Sequence, residues 1–199
     1  MSQPVPESVS RYAAVCFDLF GTLVEVTDQR GVWRDALALV PRKRRREFKH
    51  RIMRENRPMA ELVSELDPFA NLSLWNTISD RTATEARSTQ KRPGMSCIWS
   101  MLQRNGQRLG ICSNLSLNYG PPAIDQLPTP PDVRALSYEL GCAKPDPEIY
   151  HYVVDSFGYR PEQVIFVGDT AEADILAPRR LGIEAMHIRQ FEKLFSVPA

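Results

Sequence analysis

Four polar side chains follow predicted strands at the points where an open α/β sheet binds its ligands. They are Asp18, Ser113, Lys144 and Asp169. Open parallel sheets bind ligands beyond the carboxyl ends of their strands. A carboxylate at that edge can attack an electrophile covalently, a hydroxyl can hold phosphoryl oxygens, and a lysine can neutralise the nucleophile and the transferring group. These residue types indicate group transfer from a small anionic substrate.

A further carboxylate, Asp174, follows Asp169 within the segment GDTAEAD that starts at Gly168. The spacing places Asp169 at the strand end and Asp174 one turn into the next helix. Carboxylate oxygens are the ligands that Mg²⁺ prefers, and no Cys/His cluster typical of zinc lies nearby. The sequence therefore predicts Mg²⁺ as the cofactor.

The stretch around Asp18 is the most informative part of the chain, and it reads AAVCFDLFGTL from Ala13 to Leu23. A short run of β-branched and aromatic residues predicts a buried strand. Burying a carboxylate at the end of such a strand is costly, so it usually has a functional task. Phe20 has no proton to donate, and this restricts the chemistry available to the site.

Strands and helices alternate in the C-terminal half of the chain. After the strand that precedes Asp18, strands are predicted at 108–112, 135–138, 164–167 and 183–188. Between them, a helix should start at an Asp146 N-cap, and another should span about 171–181 with a kink at Pro178. This alternation predicts an α/β fold with a doubly wound, Rossmann-like parallel sheet.

The middle of the chain has a different pattern. Residues 24–92 show helical spacing of apolar residues, consistent with four short helices and no strong strand. The expected organisation is a core formed by residues 11–23 and 93–199, a helical insertion at 24–92, and a flexible lead-in at 1–10.

Together these segments resemble the haloacid dehalogenase-like (HAD) hydrolase superfamily over residues 13–188. One such motif alone is weak evidence, whereas four in the same order are specific. The family places a helical cap between its first and second motifs, which matches the insertion at 24–92. The segments that carry the resemblance are DLFGT from Asp18, ICSN from Ile111, GCAKPDP from Gly141 and GDTAEAD from Gly168.

The resemblance implies a role for each residue that the motifs share. Asp18 would be the nucleophile, and Lys144 would neutralise charge at the reacting centre. Ser113 would bind the phosphate through its hydroxyl, and Thr22 and Asn114 would take part in substrate binding.

The resemblance also implies how Mg²⁺ is held. Asp18, the backbone carbonyl of Phe20 and Asp169 would be its protein ligands, with Asp174 acting through a water molecule. The implied activity is that of a Mg²⁺-dependent hydrolase with an aspartyl-enzyme intermediate, acting on a small phosphorylated metabolite with a good leaving group.

Phe20 departs from the phosphatase pattern of this family. Phosphatases usually have a second Asp at this position, which protonates the leaving oxygen and later activates water. Haloacid dehalogenases have an aromatic residue there, but they typically have Ser and Asn where this chain has the acidic fourth motif. Arg34 is a candidate for the dehalogenase substrate arginine. The alternatives are therefore a C–halogen hydrolase and a catalytically weak relative that binds a phosphorylated ligand or partner.

Composition limits the remaining function classes. The chain has 199 residues, a formal net charge of +1 and 43% hydrophobic residues, as expected for a globular protein without a nucleic-acid or membrane partner. Its four scattered cysteines suggest reduced thiols and a cytoplasmic location. The basic run Arg42–Arg46 is interpreted as a solvated helix face, with steering of an anionic substrate as the alternative. A monomer or a homodimer is expected.

Overall fold

The structure, a computed structural model, describes residues 4–195 and is built around one parallel sheet. Five strands form this sheet in the order β5-β4-β1-β6-β7, and every neighbouring pair in it is parallel. The two remaining strands form an antiparallel pair. The strands are β1 (Ala14–Phe17), β2 (Val24–Val26), β3 (Thr89–Lys91), β4 (Arg108–Ser113), β5 (Val133–Leu136), β6 (Val164–Gly168) and β7 (Glu184–His187). The predicted doubly wound α/β fold is confirmed.

Helices connect these strands. Within residues 4–195, no helix is both long enough and apolar enough to cross a bilayer. The α-helices are α1 (Glu7–Ser10), α2 (Val32–Leu39), α3 (Arg45–Ile52), α4 (Met59–Leu66), α5 (Leu72–Arg87), α6 (Met95–Arg104), α7 (Gly120–Ile124), α8 (Ser137–Leu140), α9 (Pro147–Phe157), α10 (Ala177–Arg180) and α11 (Ile188–Leu194).

The central strand β1 is apolar on both sides because helices cover both faces of the sheet. Successive strand residues point to opposite faces. Val15 and Phe17 pack into a cluster with residues of α6 and α11, and Ala14 and Cys16 pack into a second cluster with α9. All four residues of β1 are fully buried. This explains why a parallel central strand has a continuous apolar sequence.

The insertion at 24–92 has a hydrophobic cluster of its own. Phe48, Leu62 and Trp75 are buried together among helices α2 to α5. Strands β2 and β3 pair where the chain leaves and re-enters the core, with Val24 opposite Lys91. The sequence predicts the helices but no strand here, because three-residue strands are too short to show a period.

Two elements differ from the sequence prediction. The strand expected at 135–138 ends at Leu136, and Ser137 starts the short helix α8, so the prediction is wrong for its last two residues. The expected kinked helix is a π-helical segment, Ala171–Leu176, followed by α10. Pro178 lies in α10, which continues the π-helical segment without a break, since Leu176 and Ala177 both have helical backbone angles. Pro178 therefore removes one backbone donor from a continuous helical run.

The flexible lead-in predicted at 1–10 is wrong for α1, and residues 1–3 lie outside the described residues. Val9 is fully buried against the core. The side-chain amide of Gln107 donates hydrogen bonds to the carbonyls of Val9 and Tyr12 at 3.0 and 3.1 Å. A four-residue helix gives too weak a sequence pattern to show this packing in advance.

This packing predicts a measurable effect of Val9→Ala. Removing two buried methyl groups and leaving a cavity should lower the free energy of unfolding by about 2 kcal/mol. Urea denaturation measures the change, and Ser10→Ala is the matched exposed control, which should be nearly neutral. Equal stability of the two variants would restore the interpretation of this segment as a flexible lead-in.

Candidate active site

The polar residues singled out in the sequence meet at one edge of the sheet. Asp18 directly follows β1, Ser113 is the last residue of β4, and Asp169 directly follows β6. Lys144 lies in the loop between α8 and α9. Because β1 lies between β4 and β6, the carboxyl ends of these three strands bring the side chains together.

Lys144 is the centre of a buried hydrogen-bonded group. Its Nζ donates to Asp18 Oδ1 at 2.8 Å and to Asp174 Oδ1 at 2.5 Å. Ser113 Oγ donates to the same Asp18 Oδ1 at 2.8 Å. Lys144 and Asp174 are only 5% and 1% exposed. The second oxygen of Asp18 has no partner in these hydrogen bonds, which leaves it available for a metal or a substrate.

Burial and ion pairing have opposite effects on the pKa of these groups. Burial alone would lower the pKa of Lys144, but the nearby negative groups, Asp18 first among them, hold it well above its ordinary value. Burial raises the pKa of Asp18, and the Lys144 cation and the Ser113 hydrogen bond oppose that rise. Lys144 is therefore a fixed positive charge beside the carboxylate.

Three carboxylates at this edge have the arrangement of a metal site. Oxygens of Asp18, Asp169 and Asp174 lie within 4.8 Å of one another. Both oxygens of Asp174 are already engaged, since Oδ1 accepts from Lys144 and Oδ2 accepts from the Thr170 backbone N–H at 2.9 Å. Asp18 and Asp169 are therefore suited to direct coordination, and Asp174 to an indirect role. An all-oxygen donor set of this kind fits Mg²⁺.

Two glycines allow the carboxylates to approach the backbone. A Cβ atom placed on Gly21 would lie 2.1 Å from Asp169 Oδ2, and Gly21 also has a positive φ of 77°. A Cβ atom on Gly168 would lie 2.4 Å from the carboxylate carbon of Asp174. Any other residue at either position would move an acidic side chain of the site.

Asn114 and Thr22 have structural contacts close to the site. The Asn114 side chain bonds both ways with the backbone of Lys144, donating to its carbonyl at 2.7 Å and accepting from its N–H at 2.8 Å. The Thr22 hydroxyl is completely buried, and its backbone carbonyl accepts a bond from Arg92. Asn114 therefore positions the lysine loop and also borders the adjoining cavity, and Thr22 lies inside the turn after Asp18. Their contact with substrate stays a prediction.

A cavity of about 560 Å³ adjoins the site and was not predicted from the sequence. Phe20 and Gly21 border it on one side, and residues 114–116, which follow Ser113, border it on another. We call it the aromatic cavity, because Phe20, Trp33 and Tyr119 form part of its wall. The Tyr119 ring meets Phe20 edge-on at 5.8 Å and stacks on Trp33 at 6.1 Å, measured between ring centroids.

A buried carboxylate holds the wall of the aromatic cavity in place. Glu85 Oε1 accepts a hydrogen bond from the Tyr119 hydroxyl at 2.6 Å, and Oε2 accepts one from the Arg30 backbone N–H at 2.6 Å. Burial and this carboxylate raise the pKa of Tyr119 well above its ordinary value. A charged residue on the buried face of α5 is the one signal in the sequence that could have indicated this contact.

The basic residues of the insertion lie elsewhere. The side chain of Arg34 is 83% exposed and pairs with Asp35. Neither Arg34 nor the run Arg42–Arg46 is among the described residues that line the aromatic cavity. The structure therefore gives no support to Arg34 as a substrate-binding arginine.

The chain belongs to the haloacid dehalogenase-like hydrolases. The family model of that description matches residues 12–182. That match includes the site residues Asp18, Ser113, Lys144 and Asp169. The protein therefore belongs to a family of hydrolases, and the carboxyl edge of its sheet is the candidate active site.

Individual relatives include both dehalogenases and phosphatases. The chain is 26% identical over 178 residues to (S)-2-haloacid dehalogenase 4A of Burkholderia cepacia, covering 82% of this chain and 77% of the relative. It is 29% identical over 97 residues to phosphoglycolate phosphatase 1 of Pseudomonas aeruginosa, covering 48% of this chain but only 35% of that phosphatase.

Solved structures show the same fold. A HAD family enzyme from Bacteroides thetaiotaomicron, crystallised as a magnesium complex, superimposes with a TM-score of 0.64 at 16% identity. The superposition covers 89% of this chain and 93% of that enzyme. At this identity the similarity establishes the architecture alone.

The contact between Gly21 and Asp169 predicts a specific defect in Gly21→Ala. The new Cβ should displace the Asp169 carboxylate, and a misplacement of this size in an active site can cost about 10²-fold in turnover. Hydrolytic activity on whichever substrate class the enzyme accepts is the measurement.

Gly106→Ala is the matched control, because Gly106 has a φ of 86° and open space around it. Both variants should lose about 1–2 kcal/mol of stability from the left-handed backbone. Only Gly21→Ala should lose activity, and equal activity of the two variants would show that Asp169 is not needed at its observed position.

Proposed function

We propose that this protein is a Mg²⁺-dependent phosphatase that forms a covalent intermediate on Asp18 and acts on a small phosphorylated metabolite with a good leaving group. One observation carries the proposal: Asp169 and Asp174 lie beside Asp18, with Lys144 paired to two of the three carboxylates. This arrangement supplies negative ligands for a divalent cation and one fixed cation for a phosphoryl group.

In the proposed reaction, Asp18 attacks phosphorus with its free carboxylate oxygen. The bond from phosphorus to the leaving oxygen breaks, and that oxygen departs with the bonding electrons. The Lys144 ammonium and the Ser113 hydroxyl stabilise the negative charge on the transferring group. Water then attacks the phosphorus of the aspartyl phosphate, which releases phosphate and restores the Asp18 carboxylate.

Asp18, Asp169 and the Phe20 backbone carbonyl would hold the Mg²⁺ ion, and Asp174 would act on it indirectly. The ion supplies positive charge that lets an anionic substrate approach three carboxylates. One structural relative, the HAD family enzyme from Bacteroides thetaiotaomicron, was crystallised with magnesium and also with magnesium and phosphate together, which supports the choice of ion and of substrate class. The phosphatase relatives support the reaction.

We also propose that residues 24–92 act as a cap over the site in a cytoplasmic enzyme. The helices of this insertion supply Trp33 and Glu85 to the aromatic cavity, beside residues of the core. An ion pair of 2.8 Å joins Arg54 of the insertion to Asp146, two residues after Lys144. The insertion is therefore tied to the loop that carries the site's cation.

A dehalogenase is the second candidate, and two observations favour it. Phe20 occupies the position of the phosphatase acid, as expected for a dehalogenase. The relative matched over 178 residues is also a dehalogenase. The acidic pair Asp169 and Asp174 favours the phosphatase, because hydrolysis of a haloacid by a carboxylate does not need a cation.

Removal of the metal separates the two candidates. A chelator should abolish hydrolysis of acetyl phosphate and p-nitrophenyl phosphate, and added Mg²⁺ should restore it, because the three carboxylates otherwise repel the substrate. Asp18→Asn keeps the size of the nucleophile but removes its charge, so it should reduce activity to background and serves as the control for contaminating phosphatases. Activity on 2-haloacids in chelator, with none on phosphates, would establish the dehalogenase instead.

Phe20 predicts a steep dependence of rate on the acidity of the leaving group. General acid catalysis typically contributes about 10²- to 10⁴-fold in rate, and a site without the acid loses most with poor leaving groups such as alkoxides. Acyl and aryl phosphates should therefore be hydrolysed far faster than sugar phosphates. The measurement is the slope of log kcat/KM against the pKa of the leaving group.

Two substitutions test this account of Phe20. Phe20→Asp should flatten the slope by restoring an acid, whereas Phe20→Leu, which is also apolar, should keep it steep. Similar rates for alkyl and aryl phosphates in the unmodified protein would mean that another residue supplies the proton.

A further inference from the structure

The walls of the aromatic cavity are suited to a flat apolar group. Phe20, Trp33 and Tyr119 contact one another in series, with the edge-on and stacked geometries given above. Val32 and Leu115 add aliphatic surface to the same cavity. Aromatic rings that already stack on one another offer further ring faces and edges to a ligand at little entropic cost.

The position of the aromatic cavity makes it the place for the leaving group. Phe20 and Gly21 belong to the turn that starts at Asp18, and Asn114 directly follows Ser113. The cavity therefore adjoins both the nucleophile and the residue proposed to bind the phosphoryl group. A substrate whose phosphorus faces Asp18 has this space for the rest of its structure.

The charges around the aromatic cavity exclude an anionic leaving group. Among the described residues that line it, there is no lysine and no arginine, and there are two glutamates, Glu25 and Glu85. Glu85 is fixed by its two hydrogen bonds, while Glu25 is exposed on β2. A carboxylate on the leaving group would meet two like charges and no lysine or arginine among the described lining residues, which is costly in a partly desolvated space.

We infer that the substrate is an aryl phosphate, and that its leaving group is a phenol without charged substituents, held in the aromatic cavity. The inference rests on the proposed phosphatase function and narrows its substrate class. It separates this enzyme from phosphatases of carboxylated metabolites such as phosphoglycolate, for which the cavity offers no cation.

Two aryl phosphates of similar size and similar leaving-group acidity test whether the cavity rejects a charged leaving group. These are 4-(2-carboxyethyl)phenyl phosphate and its methyl ester, in which two methylene groups insulate the leaving oxygen from the carboxyl group. The unmodified protein should hydrolyse the neutral ester with a kcat/KM about tenfold higher, which corresponds to about 1.4 kcal/mol of discrimination. Equal values for the two esters would overturn the inference.

Glu25→Arg provides the gain-of-function arm. An arginine on the wall should pair with the substrate carboxylate and remove or reverse the preference for the neutral ester. Asp80→Arg makes the same charge change on an exposed residue of α5 outside the cavity and should leave the preference unchanged. If both variants shift the preference equally, the effect is one of net charge and the cavity is not the binding site.

Trp33→Ala tests whether the aromatic wall binds the leaving group. This variant should lower kcat/KM for 1-naphthyl phosphate about tenfold or more relative to acetyl phosphate, which is too small to reach Trp33. Phe69→Ala is the matched control, because Phe69 is an aromatic residue of the same insertion that is 95% exposed. Equal losses on both substrates would reduce Trp33 to a structural residue.

Acetyl phosphate also separates failure of the inference about the leaving group from failure of the phosphatase proposal. If acetyl phosphate is hydrolysed while the aryl substrates show no preference, the phosphatase proposal stands and the aromatic leaving group is wrong. If no phosphate ester or anhydride is hydrolysed, the phosphatase proposal itself fails, and the inference fails with it.

Discussion

The buried ammonium group of Lys144 is the constraint on which the rest of this site depends. A lysine that is only 5% exposed is unfavourable unless carboxylates meet it at close range. Asp18 and Asp174 do so. Asp18 directly follows β1, and Asp174 lies in the π-helical segment that follows the adjacent strand β6. The strand order therefore does more than close the core, because it brings the two anions to the single cation. Removing either anion would leave the buried ammonium group with a single carboxylate partner.

Backbone positions of the site are as tightly specified as its charges. The Asn114 side chain bonds to both the N–H and the carbonyl of Lys144, so the residue that follows β4 fixes the position of the loop that carries the lysine. Gly168 leaves room for the Asp174 carboxylate, and Gly21 leaves room for that of Asp169. Hydrogen bonds and missing side chains thus hold the carboxylates together against their mutual repulsion. A cation bound among them would relieve that repulsion, which is a physical reason to expect one.

The sequence alone predicted the sheet and the charged residues of the site, but not the aromatic cavity. Asp18 and Asp169 are visible in sequence because each directly follows an apolar run that indicates a strand. Tyr119 and Glu85 meet across 34 residues, and neither residue lies in a segment whose pattern requires the contact. The burial of Val9 was missed because four residues give no measurable helical period. Residues at strand ends can be predicted from local sequence patterns, whereas a cavity wall formed by residues far apart in sequence can be seen only in the folded structure.

In the proposed phosphatase, Phe20 connects the chemistry of the site with recognition of the leaving group. The same side chain that provides no acid for the leaving oxygen contacts Tyr119 edge-on and forms one wall of the aromatic cavity. A leaving group that packs well against such a wall is aromatic, and a phenol is also a leaving group that departs without an acid. Phe20 therefore has two effects: it supplies no acid to the leaving oxygen, and it adds an aromatic ring to the cavity wall. A phenol bound against that ring needs no acid, so the second effect compensates for the first. An aspartate at this position would restore the proton and at the same time place a third carboxylate beside Glu25 and Glu85, at the cost of the apolar contact.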